Sequence, residues 1–350
     1  MRPTVLFALF LAFTVPSFAR QNGPKTISTS TGHALPSTTL RRANAGSPKD
    51  QFAVAEAYAE GDGVAQDYSQ ALRWFALTAN RGNAPAMTEL GRMFAEGIGT
   101  VRDDRQAFQW FLRAATEGYA PAQVNLGLMY FQGRGVSVDA SNAIHWWQRA
   151  AAKGDIRAKT NLGSAYLAGI GVPRDPGTAV TLFAEAAKSG FDVAEFSLGL
   201  CYETGEGITQ NFTEALRWYR KATDHGDPAA ATNLGSLYLE GRGVAADSRE
   251  ALRLFNLAAE KGNSRAFTNL ANVYYLGRGV KPDPVTAYMW LEIAGAKGES
   301  VSAARERVAA KLTPDEIEEA IRRAQVWQAS HPNAQGAQRY LPFVVVRDHR

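Results

Sequence analysis

Ala122-Gln123-Val124-Asn125-Leu126-Gly127-Leu128-Met129-Tyr130-Phe131-Gln132-Gly133-Arg134-Gly135-Val136 is one copy of a pattern that fills most of the 350-residue chain. Its closing Gly-x-Gly recurs at Gly61, Gly97, Gly133, Gly169, Gly205, Gly241 and Gly277, always 36 residues apart, with no insertion or deletion. A fixed period in this range marks a solenoid, in which one supersecondary unit is stacked many times.

Aligned copies show what the unit is. Val54, Leu90, Leu126, Leu162, Leu198, Leu234 and Leu270 form one column, and four residues later stand Tyr58, Phe94, Tyr130, Tyr166, Tyr202, Tyr238 and Tyr274. That spacing puts both columns on one face of a first helix. Between them run Ala55, Gly91, Gly127, Gly163, Gly199, Gly235 and Ala271. Glycine inside a helix costs about 1 kcal/mol against Ala, so its repetition predicts a neighbouring helix too close for a Cβ. The Gly-x-Gly ends this helix, its left-handed glycine closing the last carbonyls. The β-branched residue that follows, such as Val136, is read as plugging the turn into the core.

A second helix starts at Asp67, Asp103, Asp139, Asp175, Asn211, Asp247 and Asp283. Asp or Asn there is an N-cap worth about 1 kcal/mol. Gln or Glu three residues later, in four of the seven copies, resembles a capping box. Trp74, Trp110, Trp146, Leu182, Trp218, Leu254 and Trp290 hold five of the chain's seven tryptophans in one column, read as core.

The ends read differently. Arg2, the apolar run Val5–Val15 and Ser17-Phe18-Ala19 read as a signal peptide over 1–19. The run is too short to span a bilayer, and no later one reaches 18 residues. Residues 20–47 are rich in Ser, Thr, Gly and Asn and read as a flexible linker. The repeats occupy 48–298. Residues 299–330 are predicted to be a C-terminal helical cap, with Thr313-Pro314-Asp315-Glu316 as N-cap, Pro at N1 and Glu at N3. In the tail, 331–350, the β-type run 341–346 is predicted to dock on the array; the alternative is a partner-binding strand, with homo-oligomerisation through it a third reading.

The pattern Ala-x3-Leu-Gly-x2-Tyr-x2-Gly-x-Gly-Val, then Asp-x3-Ala-x2-Trp-x3-Ala-Ala-x2-Gly, is followed from Ala122 through Leu126, Gly127, Tyr130, Gly133, Gly135, Val136, Asp139, Ala143, Trp146, Ala150 and Ala151 to Gly154. It resembles the Sel-one-like repeat family, relatives of the tetratricopeptide repeats. The resemblance implies an all-α fold: a right-handed α-solenoid of seven 36-residue helix-turn-helix repeats with a helical cap. It also implies adaptor roles in assemblies, signalling and envelope processes. Some secreted members pair cysteines within repeats and are linked to β-lactam binding. This chain has one cysteine, Cys201, and no Ser-x-x-Lys.

No catalytic pattern stands out. The five histidines are dispersed, without the spacing of zinc ligands. No Gly-x-Ser-x-Gly occurs, and the Gly-x-Gly turns lack the Gly-Lys-Ser/Thr of a phosphate loop. Cys201 shares a column with Met93, Met129, Ala165, Leu237 and Val273 and reads as a buried small hydrophobe. No catalytic residue, metal or cofactor is expected. The net charge of +4 is scattered, which argues against nucleic acid.

The candidate site is therefore a surface. In tetratricopeptide-like arrays the first helices line the concave face. Val124, Leu128, Phe131, Leu167, Phe196 and Leu200 make an apolar groove there, and exposed apolar patches mark binding sites. Beside it Asn125, Asn161, Asn233 and Asn269 form an amide column, with Ser197 interposed. An amide both donates and accepts, which suits the backbone of an extended peptide. The competing reading packs the groove residues against the next repeat and bonds the amides to neighbouring turns. The chain is thus expected to be a non-enzymatic, monomeric adaptor, exported to the periplasm or secreted. It would hold a protein or peptide partner in its groove, with no nucleic acid and no membrane span. The alternative is a binder or hydrolase of cell-envelope polymer fragments.

Overall fold

The computed structural model describes residues 11–13, 35–335 and 341–343. Apart from Leu11–Phe13, the expected signal peptide lies outside the described residues, as does the linker as far as residue 34. Strand β1 (Leu11–Phe13) comes first and α1 (Ser37–Asn44) second. Seven helix pairs follow: α2 and α3 (Pro48–Glu60, Tyr68–Ala79), α4 and α5 (Ala84–Glu96, Asp104–Thr116), α6 and α7 (Ala120–Gln132, Ala140–Ala151), α8 and α9 (Ile156–Ala168, Pro176–Ala187), α10 and α11 (Asp192–Thr204, Phe212–Asp224), α12 and α13 (Pro228–Glu240, Ser248–Glu260), and α14 and α15 (Ser264–Leu276, Pro284–Ala296). Helices α16 (Ser302–Ala309) and α17 (Pro314–Ser330), a 3-10 turn (Pro332–Gln335) and strand β2 (Leu341–Phe343) complete the order. The fold is an all-α repeat solenoid, and the two three-residue strands pair only with each other, antiparallel, Leu11 opposite Phe343.

The chain divides into two compact units. The N-terminal unit runs to Arg174 and holds α1–α8; the C-terminal unit runs from Asp175 and holds α9–α17 and the small ladder. Within each unit, every helix of the array packs on its neighbours in sequence.

Local chemistry accounts for the helix limits. Every first helix of a repeat ends in a left-handed glycine, from Gly61 at φ 72° to Gly277 at φ 68°. Every residue of the Asp/Asn column is an N-cap: the Asp103 carboxylate, for example, accepts from the backbone N–H groups of Arg105 and Gln106 at 3.0 Å. The N-cap's own N–H closes the turn by donating to the aromatic-column carbonyl, as Asp139 does to Tyr130 at 2.9 Å. The capping boxes expected in four repeats are only half made. Among the described residues the reciprocal pair is recorded at Thr313 and Glu316, where α17 begins as its sequence predicts.

The glycine inside the first helix answers a side chain of its own repeat. A Cβ on Gly91 would lie 2.9 Å from the Phe111 ring, on Gly199 2.8 Å from Tyr219, and on Gly235 2.7 Å from Phe255. The neighbouring helix is thus too close for a Cβ, as expected, and the atoms that come closest are those of an aromatic ring. These rings form the deepest column of the array: Phe75, Phe111, Trp147, Phe183, Tyr219 and Phe255 are each at most 2% exposed. They lie one position after the tryptophan column taken as core, of which Trp74 and Trp110 remain half-buried. Full burial of such a ring contributes about 1.5–3 kcal/mol.

The second glycine of the tripeptide has a separate task. Gly99, at φ 69°, would place a Cβ 2.5 Å from the carbonyl oxygen of Tyr68, the first residue of the preceding repeat's second helix. A cationic side chain ties down the ends of other helices: Lys261 donates to the Gly226 carbonyl beyond α11 at 2.9 Å, and Lys153 and Arg81 donate likewise to those of Gly118, beyond α5, and Gly46, beyond α1. A cation suits carbonyls left open beyond a helix end. Lys297 departs from the series and donates to Ala334, in the 3-10 turn, at 2.9 Å.

Part of the expected linker is helical. Arg42 of α1 pairs with Asp50 at 2.8 Å, Gln51 donates to the Ala43 carbonyl at 3.0 Å, and Ala43 is fully buried. Helix α1 covers the open face of the first pair, a contact that its polar composition conceals. Of the expected docking run at 341–346, Leu341–Phe343 pair with β1, whereas 344–346 lie outside the described residues.

Candidate functional site

In the N-terminal unit the first-helix face is carried by α2, α4, α6 and α8. Helix α6 lies between its neighbours so closely that residues 122–129 are all buried. The expected open groove is not open there. Val124 is 1% exposed, Leu128 6%, Phe131 7% and Leu167 4%. In the C-terminal unit Phe196 is 7% exposed and Leu200 half-buried. At Phe131 and Phe196 the cause is the deep aromatic column, which reaches them from the second helices. Phe131 lies 5.7 Å from Trp147 and Phe196 lies 5.8 Å from Tyr219, centroid to centroid. Five of the six apolar groove residues therefore pack within the array.

The amide column divides between the units. In the N-terminal unit Asn125 is 3% exposed, and neither its Oδ1 nor its Nδ2 has a hydrogen-bond partner. Asn161, on α8, is 5% exposed. In the C-terminal unit Asn233 and Asn269 are half-buried. A buried amide left unmatched costs about 1–3 kcal/mol, and Asn125 carries that cost.

Asn233 is engaged instead. Its Nδ2 donates to the Tyr219 hydroxyl at 3.0 Å, and that hydroxyl donates to the Glu203 carboxylate at 2.7 Å. The Arg242 guanidinium approaches the same carboxylate at 3.3 Å while lying over the Phe212 ring. Burial, and then the Glu203 charge, push the Tyr219 hydroxyl well above the usual phenol range. The Tyr219 hydroxyl thus stays protonated and serves as a hydrogen-bond relay. Of the three, only Asn233 belongs to the predicted amide column. Tyr219 is a visible departure in a column of Phe and Trp, and Glu203 one in a column of apolar residues.

Elsewhere the chemistry is sparse. Burial pushes the Cys201 thiol up to about 12, and the residue is 1% exposed. His225 contacts the buried Glu195 at 2.7 Å. No group of three His, Cys, Asp or Glu residues able to hold a metal occurs among the described residues. No described helix is long and apolar enough to cross a membrane.

The Sel1 repeat profile matches seven consecutive segments, 48–83, 84–119, 120–155, 156–191, 192–227, 228–263 and 265–299. A Sel1 repeat protein from Oxalobacter formigenes, known from a crystal structure, is 34% identical; the match spans 72% of this chain and all of that one, with a TM-score of 0.64. A protective antigen of uropathogenic Escherichia coli with an SLR fold is 24% identical over 89% of this chain and 91% of its own, at a TM-score of 0.47. No curated protein matches the chain.

Proposed function

The chain belongs to the Sel1 repeat family, a scaffold fold of the kind used in protein–protein interaction, and on that footing we propose a non-enzymatic adaptor. It is exported, and it holds an extended segment of a protein partner against the first-helix face. The observation that carries this reading is Asn125: a buried amide with both atoms unpartnered is a standing cost, offset once a partner's backbone supplies a donor and an acceptor. Val124, Leu128, Phe131 and Leu167 are buried in the same unit and would give the amide an apolar surrounding rather than an open groove. Phe196 and Leu200 would do the same for Asn233 and Asn269 in the other unit. Shielding by apolar side chains strengthens such hydrogen bonds, because water competes less.

Capture of binding peptides from a displayed random library by the full chain tests the proposal. Asn125→Leu together with Asn161→Leu should abolish capture by the N-terminal unit while the fold, followed by circular dichroism, persists. Unchanged capture by the double variant would move the site off the first-helix face.

A further inference from the structure

Two columns of the array break pattern in the same repeat. The deep aromatic column holds Phe75, Phe111, Trp147, Phe183, Phe255 and Leu291, and a hydroxyl appears only at Tyr219. The adjoining first-helix column holds Ala59, Ala95, Phe131, Leu167, Leu239 and Tyr275, and a carboxylate appears only at Glu203. These two exceptions meet at 2.7 Å, with Tyr219 fully buried and Glu203 8% exposed.

The polarity of the chain of bonds is fixed by the groups in it. A carboxylate facing the Arg242 guanidinium accepts hydrogen bonds and has none to give, so the phenol must donate to it. The phenol has a single proton. Its oxygen can then only accept from Asn233, so the amide turns Nδ2 toward Tyr219. Oδ1 is left on the other side of the planar amide, turned away from the Tyr219 hydroxyl.

We infer that Glu203 and Tyr219 are positioning residues that set Asn233 as an obligate acceptor, making this the point in the C-terminal unit that takes a backbone N–H of an extended peptide. The inference rests on the adaptor reading and sharpens it. Asn125 has no orienting partner and can turn either way, whereas Asn233 cannot. The two units therefore impose different demands on the segments they hold. A peptide whose nitrogen at that point belongs to proline, with no N–H to give, is rejected by the C-terminal unit.

The test uses peptides selected from the displayed library on the full chain, resynthesised with a single N-methyl at each backbone nitrogen in turn. One N-methyl should weaken binding about tenfold or more, equivalent to about 1.4 kcal/mol. That penalty should vanish in Asn233→Ala. It should shrink in Tyr219→Phe, whose amide is free to rotate. A merely structural role for Tyr219 would weaken every peptide alike and leave the N-methyl penalty intact. Peptides that bind with the same N-methyl penalties in wild type and Asn233→Ala overturn the inference while sparing the adaptor reading. Selection of no peptide at all overturns both.

Discussion

Trp147 donates its indole N–H to the backbone carbonyl of Val124 at 3.2 Å, reaching across Gly127. The ring is fully buried, and a side chain at Gly127 would collide with it. One residue of the second helix thus dictates glycine in the first and draws on the same turn of helix that carries Asn125.

Gly127→Ala should therefore destabilise the chain by about 1–3 kcal/mol, the usual cost of overpacking, although Ala is the better helix former by about 1 kcal/mol. Gly91→Ala should cost less, because Ala55 already stands at the matching position of the first repeat beside Phe75, and Phe111 carries no indole hydrogen bond to lose. Urea unfolding followed by circular dichroism ranks the two. Equal midpoints for both variants would remove Trp147 as the cause.

The two glycines of each turn should differ. Gly97→Ala pays for a left-handed backbone, about 1–2 kcal/mol. Gly99→Ala pays that and also meets the Tyr68 carbonyl at 2.5 Å. The second substitution should lower the melting temperature further than the first, as read by differential scanning calorimetry.

Asn125→Leu should hold or raise stability while weakening partner binding. It removes a buried amide that no described group satisfies, a liability of about 1–3 kcal/mol. A clear loss of stability in this variant would show that the amide is matched in the free protein and would remove the main support for its binding role.

Cys201 should resist thiol reagents in the folded chain at pH 8 and react promptly in denaturant. Its thiol is raised to about 12, above the usual value of about 8.5. The folded state thus holds its proton where the unfolded state releases it. That contribution to stability is present below the unfolded value and lost as pH climbs through about 9 toward 12. Rapid labelling under native conditions would mean that α10 opens locally.

Helix α1 should let go at low pH. Hydrogen bonds from Arg42 and Ser47 hold the Asp50 carboxyl below its ordinary range. A depressed carboxylate contributes stability above its unfolded value of about 3.9 and loses it as pH falls through the lower folded value. Amide exchange across 37–44 should accelerate below about pH 4 and do so at neutral pH in Asp50→Asn. Exchange that is equally fast at every pH would detach α1 from this ion pair.

The repeat, its helix limits and its caps were legible in the residues because each depends on its own neighbours. A left-handed glycine ends a helix and an aspartate begins one within a single turn, so register survives without knowledge of the fold. What touches what across a repeat, or between consecutive repeats, is set by distances that no local pattern encodes. Tertiary packing made Phe111 and Trp147 deeper than the tryptophan column, and it closed the apolar groove at Phe131 and Phe196. It also ordered the Ser- and Thr-rich segment at 37–44 against Asp50. The same distances joined Glu203, Tyr219 and Asn233 into one relay, although the sequence keeps these residues 16 and 14 positions apart.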